Sequence, residues 1–216
     1  MLDVVPGSSR NGCASRFMDR ADEIAARAAR VSAARPEPLR VSPTVLIVGG
    51  PPGAGKTSLS RCLASRMPAS VHLEADWFFR FVVQRVDPSL PEAARQNDTV
   101  VRAYAEAARS YRDGGYAVVV DGVIGPWLFP VIVPILGSVD YVMLHVSERV
   151  ALERARRRSG QASAVPEVVS RMHHEFRAVL SSVARHVVTT DDRSVADVAD
   201  EVEALRSRGA LRVAGA

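Results

Sequence analysis

Lysine is almost missing from this sequence: Lys56 is the only lysine among 28 basic residues, and all the others are arginine. An ammonium is a compact point charge on a thin stem, whereas a guanidinium is a planar fork. A chain this biased toward arginine that keeps one ammonium points to a position that needs it. Cysteine is scarce too. Cys13 and Cys62 stand far apart, which excludes a disulfide framework and a cysteine-based zinc site. No apolar run reaches about 18 residues, which excludes a membrane-spanning helix. Arg10, Arg16, Asp19 and Arg20 interrupt the stretch where a secretory signal would carry its apolar core. The cytoplasm is therefore the expected compartment. Among the histidines, His173 and His174 are neighbours on an expected helix and point apart, so they form no metal pair. A zinc or Ser/His/Asp reading has no support.

What remains is ordinary globular material. The chain has 216 residues, 47% apolar and 24% charged, enough for one α/β domain with a sizeable core. The net charge of +4 raises nucleic acid as a partner. The basic residues are, however, spread among acids, and the densest run, 154–158, has a better explanation as a phosphate-binding lid or a solvated face. That argues against a nucleic-acid tract.

Residues 1–41 read as an N-terminal extension, partly disordered or helical, and 42–216 as the folded domain. The extension combines a loop-like Gly/Ser stretch with an Ala/Arg-rich helical pattern at 16–35, broken by Pro36, Pro38 and Pro43. A tail and a functional arm both fit it. Beyond it strands and helices alternate. Strands are expected at 44–48, 71–75, 116–120, 141–146 and 186–189; helices at 56–67, 91–112, 148–158, 166–184 and 194–206. Apolar, β-branched strands interleaved with helices predict a parallel sheet covered on both faces.

One motif is complete. Gly50-Pro51-Pro52-Gly53-Ala54-Gly55-Lys56-Thr57 fits G-x-x-x-x-G-K-[ST] between a buried strand and a helix. The glycines let successive backbone N–H groups turn inward on phosphates, aided by the helix N-terminus that Ser58 continues. Lys56 is placed to neutralise β/γ oxygens and Thr57 to ligate Mg²⁺. ATP with Mg²⁺ is the expected ligand, although GTP would satisfy the same loop.

Other candidates sit at the expected strand ends. Asp121 follows the third strand, where ligands of open α/β sheets bind, and reads as a second Mg²⁺ anchor or as a turn cap. Asp76 follows the second strand. It fits a base that takes the proton of an attacking hydroxyl, an N-cap for a helix starting at Trp77, or a further Mg²⁺ contact. Arg154, Arg157 and Arg158 share a helix face at i, i+3 and i+4. They suit a mobile cationic lid that ends in the 159–161 hinge, or surface pairing with Glu148 and Glu153. Six of the twelve aromatics, Trp77, Phe78, Phe79, Phe81, Trp127 and Phe129, cluster past two strand ends. They predict an apolar acceptor pocket, or staples to the core. Arg80 and Arg85 lie beside them, to bind an anionic acceptor or to stay solvated.

Together these residues resemble the small P-loop kinases, most closely the chloramphenicol phosphotransferase and zeta-toxin-like AAA family ATPases, with gluconate and shikimate kinases more distant. The similarity spans about residues 45–206. It implies a P-loop NTPase three-layer sandwich, a five-stranded parallel sheet in the order 2-3-1-4-5 with helices on both faces and an Arg-bearing lid. It implies Asp76 as general base, Lys56 and Thr57 at phosphate and magnesium, and Arg158 with Arg154 in the lid. It also puts the turn containing Thr190 against adenine. Gln96 and Asn97 are expected at the acceptor. The activity implied is transfer of the γ-phosphate of ATP to a hydroxyl of a small molecule: an antibiotic, a sugar or a nucleotide sugar. Two alternatives are a slow ATPase acting as a regulator, with a protein partner or antitoxin, and a nucleic-acid end kinase.

Overall fold

The computed structural model describes residues 44–157 and 165–214, together with Glu23 and Ala26. All the elements below belong to the compact unit Leu39–Ala216. Apart from those two positions, the expected extension at 1–41 lies outside the described residues, as do Arg158 and the 159–161 hinge.

Strand β1 (Val45–Gly49) is buried along its whole length. It leads through the glycine-rich loop into helix α1 (Lys56–Ser65). Then come β2 (Ser70–Glu74), α2 (Ala75–Arg80), α3 (Ala94–Asp113), β3 (Ala117–Asp121), α4 (Phe129–Leu136) and β4 (Val139–His145). Helices α5 (Glu148–Arg156) and α6 (Pro166–Ala178), strand β5 (Val187–Thr189), helix α7 (Val195–Ser207) and strand β6 (Arg212–Val213) complete the described chain. The five parallel strands run β2-β3-β1-β4-β5, the expected order. The short β6 pairs antiparallel with the first residues of β4.

Side-chain alternation along each strand feeds two cores. Val45 and Ile47 of β1 join Val118, Val120, Tyr104 and Ile132 on the α3/α4 face. Leu46 and Val48 join Leu59, Leu63, Val198 and Val202 on the α1/α7 face. Each such side chain, fully buried, contributes about 1.5–3 kcal/mol, so a strand apolar at every position is stable only between two helical layers. This arrangement puts the carboxyl ends of β1, β2 and β3 on one edge.

Several boundaries differ from expectation. Strand β2 ends at Glu74 and the next helix starts at Ala75, so Asp76 sits in the first turn of α2, not at a strand end and not at an N-cap. The helix expected from residue 91 opens with a separate 3₁₀ turn, Pro91–Ala93. The one expected to reach 184 stops at Ala178 and is followed by a 3₁₀ turn, Ser181–His186, kinked at Val183. Helix α4 went unread because Pro130 and Pro134 look like breakers. Pro130 falls in the first turn, where no intrahelical donor is needed, and Pro134 forfeits one bond in an eight-residue helix whose Ile132 and Leu136 are buried.

Candidate active site

The loop between β1 and α1 needs its glycines for geometry. Gly50, Gly53 and Gly55 have φ of 137°, 81° and 90°, values that side chains disfavour. The turn leaves the N-terminus of α1 open, with no side-chain cap on its first N–H groups, as an anion site requires. Lys56 folds back over this loop, donating from Nζ to the Pro51 carbonyl at 3.0 Å.

Thr57, on the next position, donates its hydroxyl to Asp121 Oδ2 at 2.7 Å. Asp121 closes β3, is buried at 3% exposure, and has Oδ1 at 2.7 Å from His72 Nε2. A hydroxyl and a carboxylate held this close are hard oxygen donors of the kind Mg²⁺ takes, so Thr57 and Asp121 fit the ion. The cap reading of Asp121 finds no bond in its favour.

Asp76 lies at the surface of α2, yet the protein mass around its carboxyl is enough to raise its pKa by burial. Lys56 and Arg80 oppose that rise, and the charges of Asp121 and Glu74 add to it. Its charge interactions with Lys56 and Asp121 put this carboxyl beside the phosphate loop.

The arginine cluster divides. Arg154 donates to the Gly53 carbonyl at 3.0 Å and the Thr190 carbonyl at 3.3 Å, and Arg157 pairs with Glu153 at 2.6 Å on the surface. Arg157 thus takes the surface pairing weighed as the alternative to a lid, while backbone carbonyls hold Arg154. Thr190 in turn donates to the Ala54 carbonyl at 3.2 Å. Beside it a cavity of about 250 Å³ opens between Gly55, Ser58, Arg154, Thr190 and Arg193. Arg193, which no sequence motif marks, lines this cavity while its guanidinium is held by Glu201 and by the Thr189 and Asp197 carbonyls.

A family model described as AAA domain matches residues 45–181. The chain belongs to the AAA domain family. No curated protein matches it. The AAA domain superposes on a sugar kinase from a Janibacter species with a TM-score of 0.60 and 18% identity, over 76% of this chain and 93% of that one. A gluconokinase from Sinorhizobium meliloti gives 0.54 and 21%, over 79% and 95%. The tunicamycin resistance protein of Deinococcus radiodurans gives 0.55 and 20%, over 76% and 95%. At these identities the likeness establishes the shared fold.

Past the strand ends within this AAA domain, the aromatics sort into two groups. Phe78, Phe79 and Phe129 pack against the core, Phe78 meeting Tyr104 at 6.1 Å and Phe129 meeting Tyr141 at 4.8 Å. Those are staples. Trp77, Phe81 and Trp127 stay 50%, 69% and 43% exposed. Arg80 is exposed and stacked on Trp77, 4.7 Å from its ring centroid, in keeping with the solvated alternative. Trp127 meets Phe176 at 4.9 Å and folds back over Gly125, where a Cβ would lie 2.2 Å from the indole.

Gln96 and Asn97 are spent elsewhere. Both ends of the Gln96 amide bond the Val86 backbone at 2.9 Å, and Asn97 donates to the Pro88 carbonyl at 2.7 Å. They fasten the loop between α2 and α3, which differs from their expected place at an acceptor; Asn97 Oδ1 is buried without a hydrogen-bond partner among the described residues. Among the described residues no helix is long and apolar enough to cross a membrane, and no group of three or more His, Cys, Asp or Glu forms a metal cluster.

Proposed function

We propose that this chain is an ATP-dependent kinase that transfers the γ-phosphate to a hydroxyl of a small molecule with a largely apolar body. The observation that carries the reading is Asp76: a carboxyl with a raised pKa, charge-coupled to Lys56 and Asp121 at the edge that carries the phosphate loop. A base works best when its pKa approaches the operating pH, and burial moves Asp76 in that direction.

In this reading the backbone N–H groups of residues 53–58 cradle the β- and γ-phosphates, and Lys56 leaves the Pro51 carbonyl to neutralise them. Thr57 and Asp121 would hold Mg²⁺, which when bound shields the charge on the phosphate oxygens. The acceptor hydroxyl gives its proton to Asp76 as its oxygen bonds phosphorus; the bond from phosphorus to the β–γ bridging oxygen breaks, and ADP leaves. The cavity beside Thr190 and Arg193 takes the base. The lid role that the kinase resemblance implies for Arg158, with Arg154, belongs to the same reading.

The acceptor is where the small kinases differ. By their names, the sugar kinase acts on a sugar and the gluconokinase on gluconate. This chain sets Trp77 and Phe81, both exposed, within five positions of Asp76, which favours an antibiotic-like acceptor of the kind the chloramphenicol phosphotransferase resemblance implies over a free sugar. Its ATP supply puts the activity in the cytoplasm.

The test is a transfer assay with γ-labelled ATP, Mg²⁺ and two acceptor pools, apolar hydroxylated antibiotics and free sugars. Label moving to a member of the first pool, and abolished by Asp76→Asn and by Lys56→Ala, supports the reading. Label moving only to a sugar overturns the acceptor class. Slow hydrolysis indifferent to both pools and to Asp76→Asn favours the regulator.

A further inference from the structure

Asp121 is bonded on both sides, and only one of those partners belongs to the phosphate loop. In the β2–β3 ladder His72 lies opposite Val119 and Glu74 opposite Asp121. Side chains alternate along strands, so His72, Glu74 and Asp121 share the face covered by α1, and Thr57 stands at the head of that helix. Asp121 Oδ2 takes the Thr57 hydroxyl at 2.7 Å, and Oδ1 meets His72 Nε2 at 2.7 Å. The side chains of His72 and Asp121 are 14% and 4% exposed. A carboxylate only accepts, so the proton shared with His72 sits on Nε2.

We infer that His72 is a positioning residue for the metal site: its imidazole pins the Asp121 carboxylate in the orientation that leaves Oδ2 on Thr57. The terminal torsion of aspartate is broad and nearly two-fold, so one bond to Thr57 leaves the carboxylate free to swing. A second bond from the opposite side removes that freedom. The consequence passes to Thr57. Its hydroxyl has one proton, and while Oδ2 takes that proton the oxygen lone pairs face away from Asp121, toward the phosphate loop. The chain His72–Asp121–Thr57 thus presents a lone pair where a divalent cation would sit. Partners that orient metal ligands from behind are worth about 10- to 100-fold in metal affinity elsewhere.

The inference rests on reading Thr57 and Asp121 as the metal anchors and is independent of the acceptor. Its test uses the full chain saturated with ADP and titrates Mn²⁺, an oxygen-seeking stand-in, by the paramagnetic signal of the free ion. His72→Gln places an amide nitrogen close to the position of Nε2. His72→Asn stops short of it, and His72→Leu has no donor. The expected result is Mn²⁺ affinity near wild type for His72→Gln and about tenfold weaker for His72→Asn and His72→Leu. Metal-free ADP affinity should be unchanged in all three.

Equal Mn²⁺ affinity in wild type and all variants overturns the inference. So does His72→Gln falling as low as the other two, because the ring would then act by its bulk. Should His72→Leu fail to fold, the contrast between Gln and Asn decides alone. A wild-type complex that takes no Mn²⁺ overturns the metal anchors and the inference together. An absence of phosphoryl transfer changes none of these readings.

Discussion

The guanidinium of Arg154 reaches across 101 positions of sequence to the Gly53 carbonyl, at 3.0 Å, and ties α5 to the phosphate loop. Its second nitrogen holds the Thr190 carbonyl. Charge-assisted bonds of this kind are worth about 1.5–3 kcal/mol. Arg154→Ala should therefore lower Tm by roughly 5 °C, at 2–4 °C per kcal/mol for a chain of this size, and weaken ATP binding as the loop loosens. Arg154→Lys, one point charge in place of a fork, should recover part of Tm only. Thermal melts with and without ATP read both effects.

Lys56 is held by a loop carbonyl within its own motif. Lys56→Ala should reduce transfer at least about 100-fold, the scale of losing one transition-state donor, with the melt of the nucleotide-free protein little changed. Lys56→Arg should not rescue it, since a planar fork does not substitute for a compact ammonium. Steady-state kinetics alongside calorimetric ATP titration separates lost catalysis from lost binding.

Asp76 carries a pH signature in stability as well as in rate. Its folded pKa is raised, chiefly by burial, so folding favours the protonated form. That contribution is fully present below the ordinary aspartate value and lost as pH rises through the raised one. Asp76→Asn should consequently raise Tm at neutral pH, with the gain vanishing in acid. The same substitution should cut transfer about 100-fold or more. In the wild type the acid limb of kcat/KM should lie above the usual carboxylate range.

His173 and His186 act in the opposite sense. Burial lowers both pKa values, and the bonds to the Pro52 and Tyr141 carbonyls oppose that only in part. Neutral imidazole is therefore the folded form. The stability this supplies is present above the ordinary 6.5 and is lost as pH falls through the lowered values. Denaturant midpoints measured from pH 7.5 down to 5 should decline, and less steeply in His173→Gln.

Gly125 lies under the Trp127 indole, and an added Cβ would sit 2.2 Å from it. Gly125→Ala should expel the ring from Phe176 at a cost of about 1–3 kcal/mol, as overpacking does. Acrylamide quenching of Trp127 should rise in a Trp77→Phe background, where it is the only indole left. Unchanged quenching would mean that the ring moves aside without leaving Phe176.

Sequence alone determined the phosphate loop, the five parallel strands and the two apolar faces, because each of these is local. A motif of eight residues carries its own backbone geometry, and a strand apolar at every position can be covered only from both sides. Even there, local signals misled where prolines sit inside α4, whose stability comes from burying Ile132 and Leu136 rather than from helix propensity. Tertiary structure decided the fate of the polar side chains. Arg154 on carbonyls, Gln96 on Val86, and His72 behind Asp121 across 49 positions leave no spacing to read. A polar group satisfies whichever partner the fold brings within about 3 Å, and which partner that is depends on how the sheet and helices converge, not on the neighbours in the chain.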